Sequence, residues 1–345
     1  MDYYSYLEIH KSYEQMKRSV EEVISKREDI QKIFDGVDEI VFLGCGSSYW
    51  LSLSASRTFS KLSKKSSIAL KATEVSMHLE EMKDCFKQPL FIAPTRSGAS
   101  KELLISMEYL KKAYPHAKIL TLSEYKDNPM AAMSDLNIPL PWADETSVCQ
   151  TRSFNCLYIS LLTIAGLLWS VKLLDEVNTY MRMCEELYTE IETKTKEIVE
   201  QMDDPQIVVL GSGLAYGCVI EGAYIVEEMS QHIATFYHTL EYRHGPVVCT
   251  NEKTYLFMCH TSLKNEQLEI DMAQEAKRKG AKIILCGFLN DKQEADWNLT
   301  LKGDFGEEIK GIYFTAILQS VAYYLAVKSG LNPDKPKELV KYITY

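Results

Sequence analysis

Glu39-Ile40-Val41-Phe42-Leu43-Gly44-Cys45-Gly46-Ser47-Ser48-Tyr49 is an apolar run closed by a glycine turn, and the chain carries it twice. Gln206-Ile207-Val208-Val209-Leu210-Gly211-Ser212-Gly213-Leu214-Ala215-Tyr216 repeats it at an offset of 167 residues. A short continuous run of β-branched and apolar residues that ends at glycine is the pattern of a strand buried on both faces. Two further pairs keep the order: Leu90–Thr95 with Leu256–Thr261 at an offset of 166, and Ala117–Leu120 with Ala281–Ile284 at 164. Three matches in order at nearly constant spacing mean an internal duplication.

Working outward, strand-like runs at Glu39–Leu43, Ile68–Ala72, Leu90–Ala93 and Lys118–Leu122 alternate with helical patterns at Ser48–Leu62 and Ala99–Tyr114. This alternation predicts an α/β fold, a doubly wound parallel sheet with helices on both faces, flavodoxin-like and present in two tandem copies. The expected layout is a helical arm over 1–34, a first α/β domain over 35–175, a second over 176–330 and a tail over 331–345. A long helical stretch, Thr151–Met202, joins the copies, and a helix over Glu307–Ser329 stops at Gly330.

With 345 residues, 46% hydrophobic and 25% charged, the composition is that of an ordinary globular protein with two cores. The 38 basic and 48 acidic residues give a net charge of −10, which argues against nucleic acid or an anionic membrane as partner. Nine cysteines without a CxxC pair predict buried thiols in a reducing cytoplasm. Met1-Asp2-Tyr3-Tyr4-Ser5 has no secretory pattern, and a cytoplasmic location is expected. Ser153–Val171 is uncharged but polar enough to predict a buried helix rather than a membrane span.

Thr95-Arg96-Ser97-Gly98-Ala99-Ser100 leads from a strand into a helix. It offers three hydroxyls, a flexible glycine, a cation and the unpaired N–H groups of a helix start, which together make an anion cradle suited to phosphate. An ordinary cap with a turn glycine is the alternative. The second copy has Thr261-Ser262-Leu263-Lys264-Asn265-Glu266 there, without the glycine, so one ligand site per chain is expected, on the first copy's loops. The Gly44–Tyr49 turn lacks the third glycine of a dinucleotide fingerprint and is followed by no GK[ST], which leaves a tight turn presenting Ser47 and Ser48. No spacing of His, Cys or carboxylates suggests a metal; His232 and His238 are isolated.

These motifs resemble the double SIS (sugar isomerase) domain proteins, in particular the isomerase half of glucosamine-6-phosphate synthase and freestanding isomerase, deaminase and deglycase relatives. Residues 44–49 are similar to that family's GCGTSY, 95–100 to SQSGET, and 145–154 to EIGVASTKAF. Glu221–Glu228 resembles a helix that supplies a catalytic glutamate, 241–246 resembles ELKHGP, and 334–344 resembles DQPRNLAKSVT. The resemblance runs from about residue 35 to Tyr345. It implies that Ser47, Ser48, Thr95, Arg96, Ser97 and Ser100 hold the phosphate and nearby hydroxyls of a hexose or amino-hexose 6-phosphate, with Val148 and Gln150 lining the sugar and Glu145 also among the substrate-binding residues. It implies Glu228 as the base between C1 and C2, His244 as the ring-opening acid/base, and Lys341, on a tail that closes over the site, as the cation near the enediolate. It implies a homodimer with shared active sites and no cofactor. The bland alternatives are a solvated face for Glu227-Glu228, a turn role for His244 and a surface charge for Lys341.

Ile225 stands where the synthase has a lysine, Arg96 where it has glutamine, and the chain opens on a helical arm where a glutaminase domain would precede. The expectation is therefore a sugar-phosphate isomerase or isomerising deaminase without a glutaminase domain. A fructosamine-type 6-phosphate deglycase is the near alternative, and a non-catalytic phosphosugar sensor the alternative of another class.

Overall fold

The computed structural model describes residues 3–261 and 264–341. Ser262 and Leu263 of the second-copy loop, and Tyr342, Ile343 and Thr344 of the tail motif, lie outside the described residues. The chain packs as two compact units. The first holds Ser12–Thr146, Gln150–Met181 and the chain from Val340 on; the second holds the chain up to Lys11, Ser147–Cys149 and Arg182–Leu339. The arm expected over 1–34 is thus shared between units, as is the tail expected over 331–345.

Helix α1 (Tyr4–His10) belongs to the second unit. The first unit follows with α2 (Ser12–Ser25), α3 (Arg27–Phe34), β1 (Glu39–Gly44), α4 (Ser47–Ser63), β2 (Ser66–Lys71), α5 (Ala72–Met77), β3 (Pro89–Thr95), α6 (Lys101–Ala113), β4 (Lys118–Ser123), α7 (Pro129–Met133), β5 (Leu136–Pro139) and α8 (Arg152–Trp169). Its five strands are all parallel, in the order β2-β1-β3-β4-β5. Alternate side chains feed two cores, as the pleat requires. Val41, Leu43, Phe91 and Ala93 pack with Leu103, Met107 and Leu110 of α6, while Phe42 meets Phe59 of α4 edge-on at 5.1 Å on the other face.

Helix α9 (Val171–Glu200) contributes to both units, and the second continues with β6 (Gln206–Gly211), α10 (Tyr216–Ser230), β7 (Ala234–His238), β8 (Thr254–Cys259), α11 (Glu266–Arg278), β9 (Lys282–Cys286), β10 (Trp297–Leu299) and α12 (Glu307–Lys328). Its order, β10-β9-β8-β6-β7, is the first sheet's order read from the other edge, again all parallel. The doubled α/β architecture expected from the repeat is what the chain adopts.

The turn after β1 shows why its glycine is required. A Cβ on Gly44 would sit 2.6 Å from the main-chain carbon and oxygen of Ser48, so only glycine lets α4 start this close to the strand.

Two expectations change, on the joining helix and on the cysteines, and one, the buried helix over Ser153–Val171, holds. The helical stretch Thr151–Met202 is two helices, broken at Ser170, which is extended (φ −151°, ψ 97°) and whose hydroxyl accepts the Leu173 N–H at 3.2 Å. Helix α8 is long and apolar enough to cross a membrane, yet it is almost wholly buried inside the first unit, under α2 and α4. Its polar groups are satisfied there: the Ser160 and Thr163 hydroxyls each donate at 2.7 Å to a carbonyl one turn back. Of the nine cysteines, all free, Cys85 and Cys249 are exposed and Cys45 half-buried rather than buried.

Candidate active site

The cradle expected on the first copy forms at the carboxyl ends of β1 and β3, where open α/β sheets bind ligands. Ser47 and Ser48 open α4 and are 5% and 6% exposed. After β3 the loop is shaped by its own hydroxyls: Thr95 Oγ1 accepts the Gly98 N–H and Ser97 Oγ accepts the Ala99 N–H, both at 3.2 Å. Each hydroxyl then keeps its own proton for another acceptor. Ser100 stands at the N-cap of α6, and its side chain caps nothing. Among the described residues no carboxylate bonds to any of these five side chains.

Asn128, which the sequence reading did not single out, fixes the loop. Gly98 takes φ +64°, and a Cβ there would lie 1.9 Å from Asn128 Oδ1. Asn128 caps α7 by accepting the Ala131 N–H at 2.9 Å, and its amide donates to Ser123 Oγ at 2.9 Å and the Tyr125 carbonyl at 2.7 Å. The only visible signal was Asn before Pro129, a helix-start pattern.

Beside the loop lies a charged cluster. The Glu145 side chain is fully enclosed. Its Oε1 accepts the Thr151 N–H at 2.6 Å, the Thr151 hydroxyl at 3.0 Å and the Ser153 N–H at 3.1 Å, while Oε2 accepts the Ser153 hydroxyl at 2.6 Å and Arg96 Nη1 at 3.4 Å. Glu145, expected among the substrate-binding residues, bonds to the start of α8 and to Arg96. Arg96 Nη2 in turn donates to the Lys341 carbonyl, and Lys341 Nζ to the Glu145 carbonyl. Lys341 is therefore tied to the cradle's own loop system, not left as a loose surface charge. Gln150 is 9% exposed and its Nε2 has no partner among the described residues.

Glu124, just past β4, was also missed. It is 1% exposed, its N–H donates to the Arg96 carbonyl at 3.2 Å, and its Oε1 accepts the Glu145 N–H at 3.3 Å. Burial, a hydrogen bond with Asp144 and the charge of Glu145 push its pKa up to about 8, with Lys341 pulling the other way. At neutral pH it is a neutral acid.

Glu228 and His244 belong to the second unit, as does Val148, whose N–H donates to the Asp334 carbonyl at 2.9 Å. On α10, Glu227 is the outward member of its pair and accepts the Ala234 N–H at 3.2 Å, while Glu228 is half-buried. His244 ends a short 3₁₀ turn, Glu241–His244, and is exposed. Its neighbours fix that turn: Tyr242 is buried with its hydroxyl 2.7 Å from that of Thr250, and Arg243 pairs with Glu275 at 3.1 Å. The structure thus brings Ser47, Ser48, Thr95, Arg96, Ser97, Ser100, Glu145, Gln150 and Lys341 into one unit, with Val148, Glu228 and His244 in the other.

The profile of the SIS domain family matches residues 33–165. The chain is 26% identical over 355 residues to the glutamine–fructose-6-phosphate aminotransferase (isomerizing) of Thermococcus kodakarensis, covering 99% of this chain and 58% of that protein. It is 28% identical over 344 residues to the enzyme of the same name from Sulfolobus acidocaldarius, covering 98% and 56%. The chain thus spans a little over half the length of these relatives. Among solved structures, glucosamine-6-phosphate deaminase from Thermotoga maritima matches with TM-score 0.73 at 26% identity, over 95% of this chain and 99% of that one. Tagatose-6-phosphate ketose/aldose isomerase from Escherichia coli matches with TM-score 0.86 at 17% identity, over 98% and 96%. At that identity the likeness speaks for the fold.

Proposed function

From the match of the SIS domain profile over residues 33–165 and the similarity over nearly the whole chain to an isomerizing aminotransferase and a glucosamine-6-phosphate deaminase, we propose that this chain is a phosphosugar isomerase or isomerising deaminase acting on a hexose or amino-hexose 6-phosphate. The phosphate is taken by the hydroxyls of Ser47, Ser48, Thr95, Ser97 and Ser100 and by the helix-start N–H groups around them. Arg96 adds positive charge at the loop while Glu145 orients it. Glu228 moves a proton between C1 and C2, His244 opens and closes the sugar ring, and the Lys341 ammonium stabilises the enediolate oxygen. Gln150 and Val148 face the sugar. The working form is a cytoplasmic homodimer in which His244 serves the partner's substrate.

The observation that carries the reading is the tether of Lys341. A cation held beside the proposed phosphate loops by Arg96 and Glu145 is available to a reaction that builds oxyanion character. Ile225, buried and apolar, supplies no amine for imine chemistry, which favours proton transfer or carbon–nitrogen cleavage over amination.

Glu228→Gln is the test. Turnover on the preferred phosphosugar should drop by about a thousandfold with affinity nearly unchanged. Unchanged turnover rejects the assignment of Glu228. A native chain that binds phosphosugars and turns none over makes it a sensor.

A further inference from the structure

The second unit repeats the cradle's backbone with other occupants. Gly213, the counterpart of Gly46, takes φ +60°, and a Cβ there would lie 2.0 Å from Glu307 Oε2. That oxygen accepts the N–H of Leu214, the counterpart of Ser47, at 2.7 Å. At the next strand end Thr261, the counterpart of Thr95, gives both its N–H (3.0 Å) and its hydroxyl (2.8 Å) to Glu269 Oε1. Glu269 Oε2 lies 2.5 Å from His260 Nδ1. The residue at Glu269's place in the first copy, 166 positions earlier, is Leu103. Carboxylates of the chain itself thus sit on the counterparts of the Ser47 N–H and the Thr95 hydroxyl, which meet no carboxylate among the described residues of the first copy.

The surroundings are those of an anion site. His260 is wholly buried, stacked on Phe288 at 4.1 Å, and its Nε2 has no hydrogen bond among the described residues, with Glu266 Oε2 3.6 Å away. Lys310 is 5% exposed among Glu266, Glu269 and Glu307, and Lys292 meets Glu266 at 2.5 Å. Buried donors and cations of this kind require negative charge close by, and three acids of the same unit supply it.

We infer that the second unit is a phosphate-type cradle closed from within, in which Glu269 and Glu307 are resident anions on the donors a phosphate monoester would take. The chain therefore keeps a single open phosphosugar site, and the second copy is a latent one. The inference rests on reading the first copy's loops as a phosphate cradle.

The test counts inorganic phosphate bound by the full-length chain in equilibrium dialysis, with and without Ser97→Ala and Thr95→Val to disable the first cradle. The native chain should take up about one phosphate, and Glu269→Leu with Glu307→Gln about two. With the first cradle disabled the counts should fall to about none and about one. A folded double variant that gains no phosphate overturns the inference, as does a native chain that already binds two. Should the double variant fail to fold, Glu307→Gln alone decides: on the disabled-cradle background, phosphate should raise its melting temperature, and no rise contradicts the inference. A native chain that binds no phosphate counts against the proposed function, while any gain on opening the second cradle still supports this inference.

Discussion

A carboxyl that keeps its proton at neutral pH contributes to stability in the reverse sense along the pH scale. Glu124 has an ordinary value of 4.5 when unfolded and about 8 in the folded chain. Between those limits only the folded chain holds the proton, so unfolding releases it and stability falls as pH rises, by up to about 1.4 kcal/mol per pH unit. Below pH 4.5 and above pH 8 this contribution is flat. Glu124→Gln keeps an acceptor for the Glu145 N–H and a donor toward Asp144 without the proton equilibrium. Urea unfolding from pH 5 to 9 should show the variant roughly 3 to 4 kcal/mol more stable than the native chain at pH 8, relative to their difference near pH 5. Equal pH slopes contradict a protonated Glu124. Neither Glu124 nor Asn128 was legible in the sequence, because each owes its role to a partner more than twenty residues away: Glu145 for one, Gly98 for the other. Thr95, Ser97, Glu228 and Lys341 could be singled out from the sequence because they sit in local motifs.

Between residue and molecule, the elements separate by position in the sheet. The inner strands β1, β3, β4, β6, β8 and β9 read plainly from the sequence, since burial on both faces demands continuous apolar runs. Of the edge strands, β2, six residues long, was read at Ile68–Ala72, while β5, β7 and β10 were missed: half-exposed and three to five residues long, they carry too few apolar positions to show a period. The break at Ser170 was missed for a related reason, as one polar residue between two helical patterns leaves the periodicity intact. The loop after β3 depends on Gly98 in a way that can be measured. Gly98→Ala combines left-handed strain with a methyl driven into Asn128, and should cost about 2 kcal/mol in thermal unfolding and weaken phosphosugar binding at least tenfold. A variant with native affinity would show that the loop's shape does not matter for the ligand.

At the scale of the whole chain, duplication supplied one architecture twice and divergence gave the halves different work. The same strand order stands in both units, while hydroxyls line the turns of the first and the chain's own carboxylates fill those of the second. That contrast was partly visible in the sequence as the missing glycine at 261–266; the filling acids come from α11 and α12 and needed coordinates. The central claim is that a 6-phosphosugar held by the first unit's hydroxyls exchanges a carbon-bound proton through Glu228. Proton NMR in deuterium oxide follows this directly, with fructose 6-phosphate, glucosamine 6-phosphate and fructosamine 6-phosphates as the panel. At least one sugar should take up deuterium at C1 or C2 or convert to product with the native chain, and none with Glu228→Gln. Saturating binding of the same sugars with neither exchange nor product would contradict the account.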